Sequence, residues 1–410
     1  MTNTINNISD VGKVIAKMGA TILADNSQFF QSCDKEPADS FGQVNGYNIG
    51  QSISINKPAR PVVGTTADIT GGVGSLVEEK VTMTLDQRFV VAVELTSAEI
   101  QNTLALKNWS NRILKPYISG MAQNIDSTFL TLAKNATFQA LGTPGSTVFD
   151  TSQMGSVRER LMKSLVPADG ELQCLLDSTA MNSAVNARKG LFQSSADIAK
   201  QYKLGYMGTA DGFNYLETNL LPAHTRGTAT GTITVTTTAT EATATLALTG
   251  TGSQTLKKGD TFTIASVFAV HPITKATLTN LQRFVVTADN TASGGSYTSV
   301  TVSPAFYTAT SGSLQNISAL PTSTAAVTLD GSASTAYQQQ LAFHKQAFRV
   351  ASVPLMKPDG AHMVSQETVD GMTLRVWMDS NIYTDKMILR LDFLGAFCAV
   401  RPEWAARIYS

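Results

Sequence analysis

The residues of this 410-residue chain with the means to do chemistry are four histidines, three cysteines and one group of carboxylates and guanidiniums. His224, His271, His344 and His362 are dispersed and show no metal-ligand spacing, so structural or surface histidines are expected. Cys33, Cys174 and Cys398 are odd in number, far apart and without a CxxC or CxxH neighbour. They read as small buried apolar residues of a protein folded in a reducing compartment. Asp385 and Asp392, with Arg375, Arg390 and Arg401, are placed to form carboxylate–guanidinium pairs on adjacent strands, a geometry that fixes structure. No GxxxxGKS/T, GxGxxG after a strand, HExxH or GxSxG occurs. Without a convergent acid, base, nucleophile or metal set, the chain is expected not to be an enzyme. No catalytic, cofactor-binding or metal residue is assigned.

The elements that would position these residues follow an informative order. Asn7 to Phe30 carries apolar residues at helical spacing, weakened by Gly12 and Gly19. Gly42 to Glu79 is rich in Gly, Asn, Ser and Thr. It is flanked by strand-like Gln51 to Ile55 and Lys80 to Val93, which predicts an extended β arm too poor in apolar residues to stand alone. Thr96-Ser97-Ala98-Glu99 reads as a capping box opening a long helix to about Lys134, with a kink expected near Lys115 because Pro116 removes a donor. Val157 to Leu165, Leu172 to Asp177 and Ser178 to Arg188 alternate helix, strand, helix.

From Thr225 the character changes. Thr228 to Val235 and Ala242 to Leu248 alternate at period two, and Lys258-Gly259-Asp260 supplies a turn. Phe262, Ile264, Phe268 and Val270 are expected on one face, and Phe284 to Thr287 and Tyr297 to Val302 continue the set as a small barrel or sandwich. The chain then returns to strands at Phe348 to Val353, Thr373 to Met378, Met387 to Asp392 and Gly395 to Val400. These would complete a sheet begun earlier, so the Thr-rich region reads as inserted. Trp109, Trp377 and Trp404 are expected as core or interface anchors.

Lys plus Arg equals Asp plus Glu at 31 each, so the basic excess of a nucleic-acid-coating protein is missing. Lys257-Lys258 and Arg158 to Lys163 come nearest to a basic patch and read as solvated surface. No run of about 18 apolar residues predicts a membrane span, and Met1 to Asp10 lacks the order of a signal peptide.

Particular residues carry a family likeness. Lys258 to Ile264, Val267 to Pro272 with Lys275, and Leu281 to Asp289 resemble the inserted β-domain of P22-like phage coat proteins. Leu374-Arg375-Val376, Asp385-Lys386, Arg390-Leu391-Asp392, Gly395-Ala396 and Arg401-Pro402-Glu403-Trp404-Ala405 are similar to the end of that family. The resemblance implies an α+β fold of the HK97-like capsid type: N-terminal arm, extended β loop, long spine helix, axial and peripheral domains, with an inserted all-β barrel. The implied divisions are 1–41 for the arm, 42–95 for the loop, 96–224 for spine helix and central domain, 225–340 for the insertion and 341–410 for the return. Between Arg226 and Lys257 the long charged loop of some relatives is reduced or missing.

The function implied is that of a major capsid protein self-assembling, as hexamers and pentamers, into an icosahedral head shell. A separate scaffolding protein and portal, and non-specific contact with packaged DNA, are the implied partners, with no membrane. The chain would be made in the host cytoplasm and end in the virion. Lys57 and Arg60 are the candidate inter-subunit contacts on the loop, with Glu78, Glu79 and Glu99 as candidate carboxylates. The alternative is an exported surface or adhesin-type protein with an Ig-like β module.

Overall fold

Two compact units, each discontinuous in sequence, make up the chain in this computed structural model, which describes residues 8–41, 49–58, 78–96, 110–146, 151–188, 207–381, 384 and 386–409. One unit takes Met1–Ile55, Lys80–Phe129 and Phe348–Val400; the other takes Asn56–Glu79, Leu130–Ala347 and Arg401–Ser410.

In the first unit, strand Lys386–Ala399 is the organising element. It pairs with Gln87–Thr96, Met372–Asn381 and Phe348–Ser352, and the last of these also pairs with Asp34–Lys35. The sequence reading splits Lys386–Ala399 in two; the structure runs it unbroken through Gly395, whose missing side chain leaves room for Phe393 and Phe129. Conversely, Lys80 to Val93 is two strands, Lys80–Thr84 and Gln87–Thr96. The first pairs with Ser52–Asn56 as a two-stranded ribbon.

Helix Ile8–Asn26 packs on Met363–Val369 and Met372–Asn381. Gly19 allows this close approach: a Cβ there would lie 2.7 Å from Leu374 Cδ2. The helix stops at Ser27, and a short second helix, Gln28–Ser32, follows. The backbone N–H groups of Phe29 and Phe30 donate to buried Asp126 at 3.0 and 3.2 Å. Asp126 belongs to helix Lys115–Ala136, which is preceded by a π-helical turn, Ser110–Leu114. The change from π to α winding falls next to Pro116, where the kink is expected. The capping box at Thr96 to Glu99 and Trp109 lie outside the described residues, except Thr96, which closes a strand.

The second unit holds a six-stranded sheet in the order Ala140–Leu141, Ala405–Tyr409, Gln339–His344, Leu172–Leu176, Phe213–Glu217, Thr209–Ala210. Leu172–Leu176 is central and almost wholly buried, as its unbroken apolar run requires. The chain leaves this sheet after Phe213–Glu217 and re-enters with Gln339–His344, on the other side of Leu172–Leu176. Everything between is therefore an insertion.

The insertion contains a closed barrel: Ile233–Val235, Thr245–Thr249, Ser296–Ser303, Thr277–Val286, Thr261–Val270 and Ala326–Leu329, in that order round the circle. Its interior is apolar, with Phe284 set between Phe262 and Phe306 at 5.7 and 5.1 Å between ring centres. Two expectations need correction. Only Ile233–Val235 of the Thr228 to Val235 pattern is strand, because Thr228 and Thr255 exchange backbone-to-hydroxyl bonds of 3.2 and 2.9 Å in place of a ladder. Phe268 also falls out of phase: the ladder shifts register between Thr263 and Phe268, where Ser266 sits at φ 64, so Val267 joins the barrel interior instead.

Candidate functional site

The Lys258-Gly259-Asp260 turn is where the barrel is seated on its own unit. Gly259 has φ +100, and its carbonyl accepts from Arg407 Nη1 at 2.8 Å. A Cβ at Gly259 would lie 2.5 Å from Asn135 Oδ1 and 2.9 Å from His224 Cε1, so no other residue fits without movement. Asp260, 2% exposed, accepts from the amides of Gly227 at 3.1 Å and Lys257 at 2.8 Å. It also meets His224 Nε2 at 2.7 Å.

Charge in this seat is governed by burial. The His224–Asp260 distance is that of an ion pair, yet burial and the nearby Lys134 and Arg407 push the imidazole below its ordinary value. The histidine is therefore neutral near pH 7. Its Nε2–H donates to Asp260, and its Nδ1 faces Lys134 Nζ at 3.5 Å. Burial, reinforced by Arg407, pushes Lys134 down to about 8. Arg407 is fully buried; its Nε and Nη2 have no hydrogen-bond partner among the described residues. Next to it, the Tyr409 and Thr261 hydroxyls are 3.0 Å apart, and Asp330 takes both Thr261, at 2.7 Å, and Arg283. Of the seat residues, His224, Gly259 and Asp260 stand out in the sequence; Lys134 and Arg407 do not, because a buried lysine and arginine look there like surface charges.

The candidate contact residues of the loop divide. Lys57 Nζ and Glu79 Oε2 of the same chain lie 3.3 Å apart, and the Lys57 amide donates to the Glu79 carbonyl at 2.8 Å. Glu78 accepts from Asn56 Nδ2 at 3.3 Å. These pairs continue the ribbon at its loop end, whereas Gly50 and Gln51 bond to Leu85 at its root. Arg60 and Glu99 lie outside the described residues. Lys57 and Glu79 also face a cleft of about 270 Å³, whose other walls include Arg160, Lys163, Arg283 and Glu403. Lys163 pairs with Glu159, and Arg283 with Asp330. Arg160, on helix Thr151–Lys163, is half-buried there rather than solvated, and burial together with Arg283 lowers its affinity for a proton.

In the other unit, Asp392 is 0% exposed; its Oδ2 accepts from both Nε and Nη2 of Arg375, and its Oδ1 meets Arg390 Nε at 2.9 Å and Arg88 Nη2 at 3.7 Å. Trp377 lies against both Arg375 and Arg390, each 5.6 Å from its ring centre. Arg401 does not join this group but stacks on Trp404 at 4.0 Å; Asp385 lies outside the described residues. Trp404 donates to Ser164 O at 3.1 Å and anchors the Arg401 to Ala405 motif. One further cluster, Asp169, Glu171 and His344, has the proximity of a metal site. However, His344 Nδ1 accepts from Gln346 N at 3.3 Å, so Nε2 carries the proton and donates to Asp169 at 3.1 Å, leaving no lone pair for an ion. The three cysteines are buried, and none forms a disulfide among the described residues.

The architecture so described is a core interrupted by a barrel, with charges spent on holding elements together. A protein-family model described as "P22 coat protein - gene protein 5" matches residues 46–407. The chain belongs to the P22 coat protein family. This coat protein thus has the HK97-like capsid fold with an inserted barrel, and it is a major capsid protein: its copies form the icosahedral head shell of a phage, and its place is the virion. The exported surface-protein alternative is thereby set aside. Comparison with curated proteins gives no match. Among solved structures, "Mycobacterium phage Che8" is 11% identical over 93% of this coat protein and 90% of that chain, with a TM-score of 0.45. "Capsid of Ralstonia phage GP4" is 8% identical over 92% and 87%, with a TM-score of 0.46. "CUS-3 coat protein I-domain" is 31% identical over 25% of this chain and 96% of that one, with a TM-score of 0.19.

Proposed function

We propose that this major capsid protein assembles through its extended loop, with Lys57 and Arg60 toward the tip and Glu78, Glu79 and Glu99 as the carboxylates they address. The observation that carries this reading is the ribbon Ser52–Asn56 and Lys80–Thr84. Its root packs through Ile53, Ile55 and Val81 onto a core containing Met83 and Leu85, while every second residue of Ser52–Asn56 is exposed. A two-stranded ribbon is marginal alone in water, so a neighbouring copy is the natural support for the part beyond its root. The pairing of Lys57 with Glu79 in one chain leaves Arg60 the stronger candidate for contact between copies.

The finer description follows from the same reading. The chain divides at 42, 96, 225 and 341 into arm, loop, spine with central domain, barrel and return. A separate scaffolding protein and a portal complete the head, packaged DNA is touched by a diffuse inner surface, the chain is made in the host cytoplasm, and it catalyses no reaction. Support for the DNA statement is the equality of acidic and basic residues. Arg60→Glu is the test of the loop assignment. The monomer should keep its circular dichroism and melting temperature while shell yield falls at least tenfold; a normal yield of shells would sink it.

A further inference from the structure

The helix Thr151–Lys163 carries a cation that the intrachain network does not satisfy. Four basic side chains, Lys57, Arg160, Lys163 and Arg283, face the cleft against two acidic ones, Glu79 and Glu403. Three of the four have a carboxylate of their own: Glu79, Glu159 and Asp330. Arg160 has none: no ion pair or hydrogen bond of its guanidinium occurs among the described residues, although it is half-buried. A guanidinium stays charged at any pH a protein meets, so removing it from bulk water beside another guanidinium costs free energy unless an anion arrives.

We infer that this cleft receives an aspartate or glutamate side chain of a second copy of this chain, bound by Arg160 with Lys57 and Lys163 around it. The inference rests on the reading of the chain as a shell-forming protein. Charge complementarity selects the occupant. The chain is neutral overall, and Asp25, Asp39, Asp86 and Asp359 are exposed carboxylates that have no ion pair in their own chain among the described residues. A surplus cation in a cleft and surplus exposed carboxylates are what a repeated contact between identical subunits would leave unpaired in a single copy.

The experiment uses shells assembled from equal amounts of isotopically labelled and unlabelled full-length chain, treated with a carbodiimide that joins amines directly to carboxylates. Mass spectrometry should find Lys57 or Lys163 joined to a carboxylate of a different copy, as mixed-label pairs. Finding only the intrachain Lys57–Glu79 and Lys163–Glu159 links would overturn the inference. In parallel, Arg160→Glu and the neutral Arg160→Gln should lower shell yield, the first by at least tenfold, with unchanged monomer melting. Wild-type shells alongside equal yields of both variants would overturn the inference alone, and so would variants that assemble normally but fail only to package DNA. A wild-type chain that forms no shells at all would overturn the assembly reading and this inference with it.

Discussion

Lys134 carries its ammonium into the barrel seat, where its closest acceptors, Ala223 O and His224 Nδ1, are both 3.5 Å away. Its folded-state value is pushed down to about 8 from an ordinary 10.5. Between those values the unfolded chain holds a proton that the folded chain has released, so folding stability rises with pH across that window, by about 1.4 kcal/mol per unit for one full proton. Urea unfolding of wild type and Lys134→Met between pH 7.5 and 10 isolates this group. Wild type should gain on the variant through the window; parallel curves would show that the ammonium is well solvated. The sequence conveys little of this. Lys134 ends an amphipathic pattern and Arg407 sits three residues before the last, and nothing in either position marks burial. The group around Asp392 was partly legible, since Arg375, Arg390 and Asp392 fall on strands that a register then brings together, while Arg401 is carried elsewhere by its stacking on Trp404.

Elements explain why the Lys258-Gly259-Asp260 turn is more than a connection. It begins strand Thr261–Val270, and its backbone must pass against Asn135 at the end of the spine helix and His224 at the entry to the insertion. Gly259→Ala would place a methyl group 2.5 Å from Asn135 Oδ1 in a left-handed conformation that itself costs a non-glycine residue about 1 kcal/mol or more. Overall destabilisation by several kcal/mol is expected, read as a large drop in melting temperature and soluble yield. Partial rescue by Asn135→Ala would confirm the steric cause, and a wild-type melting temperature for Gly259→Ala would refute it. Element types were readable from period and turn chemistry, including the barrel strands and the ribbon. Boundaries were not, where side chains competed with the ladder: the Thr228–Thr255 exchange shortened one strand, and the bulge near Ser266 turned Phe268 outward. Neither effect has a signature in an alternating pattern.

At the scale of the molecule, the insertion leaves and re-enters one sheet on either side of Leu172–Leu176, so barrel and core cannot fold with wholly separate fates. The seat couples them through buried charge, a kind of contact that costs much when half-made and specifies one arrangement when complete. The chain's formal charges balance to zero, which lowers the repulsion between copies that dense association must overcome. Assembly needs only modest contacts, because closure of a shell repeats each of them many times. The most direct measurement is electron microscopy of the full chain, expressed alone and together with its genomic neighbours. The account predicts closed icosahedral shells, or polyheads and aberrant shells when scaffolding is missing. A folded chain that stays strictly monomeric under both conditions would contradict it.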